Sequence, residues 1–285
     1  MKYIITERQY RLLSEQEEEI LTIPYAHFDG DWDMLQAFLK RRKNPPYRIS
    51  GNLDLSDSKI ESLGNLESVD GYLHLYGNPI KSLGNLKSVG GDLGLEDTPI
   101  ESLGNLTSVG GNLFLEGSPI KSLGNLKSVG GTLYLYGSSI ESLGNLKSVG
   151  GTLYLYGSSI ESLGNLESVG DDLNLEGTQI KSIENLKSVG GNLYLEGTPI
   201  EYIENLKSVG GSVYLRKTPI QGIVNVESIG GNLNLSGSAI KSIETVESIG
   251  GNLMLSFTSI SQHQSEREIR YYTYVKGDIL SLIHI

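Results

Sequence analysis

The sequence predicts a mainly β protein, a parallel β-solenoid of twenty-residue coils, and three observations predict it. The stretch from Gly131 to Gly150, GTLYLYGSSIESLGNLKSVG, recurs at once from Gly151 to Gly170 with Glu167 in place of Lys147. From Gly51 the pattern G-N-L-x-L-x-G-[ST]-x-I-x-S-L-x-N-L-x-S-V-G runs through eleven registers without an insertion and breaks down after Ile260. A constant short period of this kind means stacked coils. Within each unit a run such as Asn192-Leu193-Tyr194-Leu195-Glu196 alternates, which puts two leucines on one side of a half-buried strand.

The elements follow in order. Thr6 and Gln9 form a capping-box pattern, and Ile5, Tyr10, Leu12, Leu13, Ile20 and Leu21 give an apolar stripe, so a first helix is expected over Arg8 to Leu21, closed by Pro24. Asp33 is expected to cap a second helix over Met34 to Arg42, with Met34, Leu35, Phe38 and Leu39 at helical spacing. Lys40, Arg41, Arg42 and Lys43 complement its dipole, and Asn44-Pro45-Pro46 ends it ahead of an extended Tyr47 to Ser50. Residues 1–48 thus form a helical N-terminal cap over the exposed cross-section of the first coil.

Residues 49–260 form the coils. Each strand is followed by a turn at Gly-Ser/Thr-x-Ile, which buries an isoleucine from Ile60 to Ile260, and S-L-x-N-L-x-S-V returns across the back. Glycine pairs such as Gly110-Gly111, Gly150-Gly151 and Gly190-Gly191 are expected to supply positive φ at a corner and to leave the next coil unobstructed. With about six inward apolar side chains per coil and a spacing of roughly 4.8 Å, eleven coils make a rod of about 50 Å. Beyond Ile260, Ser265 is expected to cap a short helix, and Val275-Lys276-Gly277-Asp278-Ile279-Leu280 echoes the opening of a coil, so 261–285 reads as a C-terminal cap with a final strand.

The string L-x-L-x-x-[ST]-x-I-x-S-L-x-N-L resembles the leucine-rich repeat, with serine or threonine where that family usually has asparagine. The added Ser208-Val209-Gly210-Gly211-Ser212-Val213 is similar to the receptor L-domain variety. The resemblance covers about Gly51 to Ile260 and implies a right-handed solenoid whose sheet binds proteins or glycans or supports a larger assembly. Twenty residues leave little room for a helix on the back, so a flatter rod than a horseshoe is expected. The opening Met1-Lys2-Tyr3-Ile4-Ile5-Thr6-Glu7 with Gln9-Tyr10 also resembles the starts of repeat proteins of large tailed bacteriophages.

Composition narrows the function. The formal charge is -11, and residues 1–50 hold eight acids against eight bases, so the excess acid lies on the coils, where it would repel nucleic-acid phosphates. Absence of cysteine removes disulfides and Cys zinc sites. No run is apolar enough to enter a membrane and the N-terminus lacks the order of a secretion signal, so a cytoplasmic or virion-associated protein is expected. Neither a cysteine nucleophile, a G-x-S-x-G elbow nor a phosphate-cradling loop is present, the histidines lack ligand spacing, and the acids repeat by coil without converging. No enzyme, cofactor or metal site is expected. Asp29, Asp31 and Asp33 fail as a calcium loop because Met34 and Lys40 stand where glycine and glutamate are required.

The solvent side of the strands is the candidate site. Phe114, Tyr134, Tyr154, Tyr194 and Tyr214 share its central row, and Glu116, Tyr136, Tyr156, Glu176 and Glu196 lie in the row beside it. Tyrosine offers large contact area, few rotamers and one hydroxyl, which suits a protein hot spot or stacking against sugar rings. Stacking along the row would equally stabilise a parallel sheet, so a purely structural role stays open. Asn65, Asn85, Asn105, Asn125, Asn145, Asn165, Asn185, Asn205 and Asn225 occupy one corner position, expected to form a ladder in which each amide bonds to the coils above and below. The Ser/Thr row from Ser58 to Thr258 is expected to do the same at another corner, and the row Glu61, Lys81, Glu101, Lys121, Glu141 alternates in sign to hold register. The expected function is a non-enzymatic binding module that presents the sheet face to a protein or glycan. Its alternative is a virion or assembly component docked through residues 1–48, with the solenoid as spacer.

Overall fold

A hydrophobic column organises the molecule. In one coil Leu113, Leu115, Ile120, Leu123, Leu126 and Val129 are each no more than 1% exposed, and a single buried cluster built of such sets runs from Ile23 to Ile279. No coil could bury these side chains alone, so stacking is what removes them from water. The computed structural model describes residues 20–28, 30–243, 246–260 and 273–280.

The chain is a parallel β-solenoid. Each coil gives two short strands, such as Ser128–Val129 and Leu133–Tyr134, and like strands pair one coil apart, Ser128 with Ser148 and Leu133 with Leu153. The pairings build a 13-stranded serine–valine sheet and a 12-stranded tyrosine sheet on different sides of the column. A third side is bridged at Ser82 with Ser102, Ser122 with Ser142 and Ser162 with Ser182, and becomes a strand pair at Tyr202–Ile203 and Gly222–Ile223.

The N-terminal segment departs from expectation. Residues 1–19, where most of the first helix was expected, lie outside the described residues, but Leu21–Pro24 is a strand, β1. It pairs in parallel with β2, Tyr47–Ser50, and buries Ile23. Period-two alternation and β-branched Thr22 and Ile23 win over the helical stripe, so Pro24 ends a strand. The strand β2 pairs in turn with Leu66–Val69, so the serine–valine sheet begins before the first full coil. Helix α1 is Trp32–Arg41, capped by Asp31, whose carboxylate accepts the Met34 N–H at 2.8 Å, while Asp33 stands in the first turn. The cap therefore sits two residues earlier than expected. Starting there buries Trp32 with Leu35 and Leu39 and leaves Met34 53% exposed.

At the other end Tyr274–Val275 joins the serine–valine sheet beside Ser248–Ile249, and Ile279–Leu280 joins the tyrosine sheet beside Leu253–Met254. The helix expected near Ser265 lies outside the described residues. Among those residues no helix is long and apolar enough to cross a membrane.

Of the two reasons expected for the paired glycines, room for the next coil holds and positive φ does not. Gly110 and Gly111 do not take positive φ; a Cβ on Gly110 would lie 2.1 Å from the carbonyl oxygen of Gly90 in the coil before. Their role is close backbone approach, and the positive φ is found instead just past the tyrosine strand, at Gly117 and Gly137.

Candidate binding faces

On the tyrosine sheet the strands place the outward residue of every coil directly over its neighbour, Phe114 beside Tyr134 and Tyr134 beside Tyr154. Their rings stack, with centroids 4.9 Å apart for Phe114 and Tyr134, 5.4 Å for Tyr134 and Tyr154, and 5.0 Å for Tyr194 and Tyr214. Interplanar angles of 7°, 18° and 2° lay the faces against each other along the rod. Asn174 separates the row into these two stacks. Because interior ring faces are covered by neighbours, solvent meets mainly ring edges and hydroxyl groups.

The adjoining row carries Glu116, Tyr136, Tyr156, Glu176 and Glu196. Tyr136 and Tyr156 are 48% and 56% exposed, whereas the three glutamates and Glu96 before them are half-buried. Burial pushes the Glu116 carboxyl above the usual range, the charge of Glu96 adds to it, and one Glu116 carboxylate oxygen is buried without a hydrogen-bond partner. The Glu116 charge in turn raises the Tyr136 phenol, and burial raises that of Tyr194. All ten residues expected on this face are therefore on it. The face is aromatic with an acidic flank.

The asparagine row from Asn65 to Asn225 is less than the expected ladder. Asn185 donates to the Gly164 carbonyl at 2.7 Å, Asn205 to Glu184 at 2.9 Å and Asn225 to Glu204 at 3.0 Å, each reaching back one coil from an exposed position. The Ser/Thr row also differs: the Ser118, Ser158 and Ser238 hydroxyls are buried without a hydrogen-bond partner among the described residues, and the threonines donate within their own coil, Thr98 to the Leu95 carbonyl at 2.6 Å and Thr178 to that of Leu175 at 2.7 Å. That closes a turn locally and does not link coils.

A ladder that does link coils stands two residues before the outward position of each tyrosine-sheet strand. The side-chain oxygen of Asp92 accepts the Asn112 N–H at 2.6 Å, Asn112 accepts that of Thr132 at 2.7 Å, and Asn192 accepts that of Ser212 at 2.8 Å. The signal was available in sequence, since every coil except that of Tyr72 carries a short oxygen-bearing side chain there: Asn52, Asp92, Asn112, Thr132, Thr152, Asp172, Asn192, Ser212, Asn232 and Asn252.

The serine–valine sheet forms a second face that the sequence did not point out. Its outward serines and the glycines after the valines line an open trough of about 1130 Å³ that runs from Arg48 and Asp70 to Gly230, with Arg48 and Asp70 joined at 2.9 Å. The lining is small, neutral and nearly uniform. Among the described residues no three His, Cys, Asp or Glu side chains are grouped as metal ligands would be. Compared with protein-family models, with curated proteins and with solved structures, the chain has no match.

Proposed function

We propose that this protein is a non-enzymatic binding module that offers its tyrosine sheet to a protein partner. The observation that carries the reading is the pair of ring stacks flanked by exposed Tyr136 and Tyr156 and by half-buried glutamates, a large rigid apolar area with polar handles. A protein is preferred to a glycan, because sugar rings stack on free aromatic faces and the interior faces of both stacks are occupied. The likeness of the repeat to leucine-rich repeats points the same way, by analogy of fold alone.

The alternative is an assembly component docked through the N-terminal segment, as the similarity to phage repeat proteins suggests. It is favoured by α1, which leaves Met34 exposed and ends in Lys40 and Arg41. Deleting residues 1–48 would not test it cleanly, since Tyr47, Leu35 and Leu39 belong to the core.

The test is capture from lysate by wild type, by a Tyr134, Tyr154, Tyr194 and Tyr214 to Ser variant, and by a Met34→Ser, Lys40→Glu and Arg41→Glu variant. Circular dichroism checks that each is folded. Capture lost only with the tyrosines is the expected result; capture lost only with the α1 changes favours the assembly role.

A further inference from the structure

The acids of the coils fall into two groups. At the corners many are neutralised by a neighbouring coil, Lys81 meeting Glu101 at 3.3 Å, Lys121 meeting Glu141 at 3.0 Å and Lys181 meeting Glu161 at 3.2 Å, and those with no ion pair among the described residues, such as Glu61, Glu184 and Glu204, are exposed to water. Lys187 and Lys147 both reach Glu167, at 2.5 and 4.0 Å. On the tyrosine sheet they are not: among the described residues no lysine or arginine lies within ion-pair distance of Glu96, Glu116, Glu176 or Glu196. Among the described glutamates these four are half-buried with no ion pair, whereas the half-buried Glu67 and Glu167 are paired with Lys87 and Lys187. A carboxylate that gives up hydration without a counter-charge is complementary to a cation from outside.

The four acids form two pairs in one row, Glu96 with Glu116 and Glu176 with Glu196, and Tyr136 and Tyr156 lie between the pairs. The second pair lines an open depression of about 290 Å³ together with Tyr156, Arg216 and Lys217. Tyr156 adds a ring against which a cation is favourable, and Arg216 ends the acidic row with the opposite charge.

We infer that this strip docks an extended basic segment of a partner protein, laid along the rod with two Lys/Arg clusters about six residues apart. The inference rests on the binding-module reading above and narrows its partner. The spacing follows from the coils: Glu96 and Glu176, like Glu116 and Glu196, stand four coils apart, which is about 19 Å at roughly 4.8 Å per coil. An extended chain at about 3.1 to 3.4 Å per residue covers that in about six residues, whereas a helix would need about thirteen. Each cluster sits over one acid pair, and the residues between lie on Tyr136 and Tyr156.

The probe is a labelled ten-residue peptide with two Arg-Arg pairs six residues apart and Pro and Tyr between them, titrated with the full chain by fluorescence anisotropy. Changing Glu96, Glu116, Glu176 and Glu196 to Gln should weaken binding at least about tenfold, because four charge-assisted contacts are lost. Changing Glu101, Glu141, Glu161 and Glu167 to Gln removes the same charge and should weaken it less than about threefold, since those acids are already paired. Moving the Arg pairs to three residues apart should also weaken binding by at least about threefold. A wild type that does not bind the peptide, equal losses in the two quadruple variants, or indifference to spacing each overturns the proposal. Should the first quadruple variant not fold, Glu176→Gln with Glu196→Gln alone gives the same comparison over one pair. Capture from lysate that survives the tyrosine-sheet Glu→Gln changes but not the Tyr→Ser changes sinks the basic-segment inference and leaves the binding-module reading standing. Capture indifferent to the tyrosines sinks the reading itself.

Discussion

The two sheets share one core, one register and one period, yet different constraints act on their outward residues. Along the serine–valine sheet serine and glycine return in coil after coil; on the tyrosine sheet the equivalent position passes from Gly94 to Phe114 to Asn174. The difference is steric. Gly110, Gly130 and Gly150 would each press a Cβ within 2.1 Å of the preceding coil's carbonyl oxygen, and backbone cannot move aside as a side chain can. Uniformity inside a repeat therefore marks contact with the next coil, and variety marks contact with solvent, which is where selection for a partner can act. Gly110→Ala tests the rule most severely. It should cost about 3 kcal/mol or more, visible as a collapsed urea midpoint, whereas Asn174→Asp, which keeps the side-chain oxygen that accepts the Glu176 N–H, should fall within about 0.5 kcal/mol of wild type. A small loss at Gly110 would mean that the coils can part, and the comparison would fail.

The two amide rows repeat the contrast on a smaller scale. Asn112 accepts the Thr132 N–H in a half-buried setting, while Asn185 donates to a carbonyl that water can reach. Asn112→Ala leaves a backbone donor unpaired and should cost about 1 to 3 kcal/mol; Asn185→Ala should cost less than about 0.5 kcal/mol in the same thermal unfolding series. Only an acceptor is needed at Asn112, as Asp92 already demonstrates one coil earlier, so Asn112→Asp should retain most of the stability. Equal losses at the two asparagines would erase the distinction between the rows.

What could be foreseen from the residues divides along the same physical line. Period, register and the inward leucines and isoleucines were legible because they repeat through many coils. Leu21–Pro24 was not, since four residues carry too few turns of either period to separate strand from helix, and a helical stripe ran into it. The helix start was misplaced because Asp31 and Asp33 are both good caps, and burial of Trp32 decides between them. Serine–valine strands of two residues give no alternation to detect, so the second sheet and its trough went unseen. The tyrosine face was legible residue by residue, but ring orientation was not: facing tyrosines can present faces or edges, and only the stacked geometry decides.

The smallest expected effect separates the acids of the two faces by sign. Glu116 has its carboxyl raised by burial first, so the folded chain holds that proton more tightly than the unfolded chain does, and stability is lost as pH rises from about 4 through the folded value. Glu116→Gln removes a group that cannot ionise cheaply. Its melting temperature should match wild type at about pH 3.5 and exceed it at pH 7. Glu167 is lowered by its hydrogen bond to Lys187, so its contribution is present above the unfolded value and vanishes as pH falls through the folded one. Glu167→Gln should therefore match wild type at low pH and melt below it at pH 7. Opposite signs at pH 7, converging in acid, would mark one carboxylate as waiting for a cation and the other as already supplied with one. The same sign at both positions would mean that the tyrosine-sheet acids are no different from those at the corners, and the case for a basic partner on that face would lose its electrostatic footing.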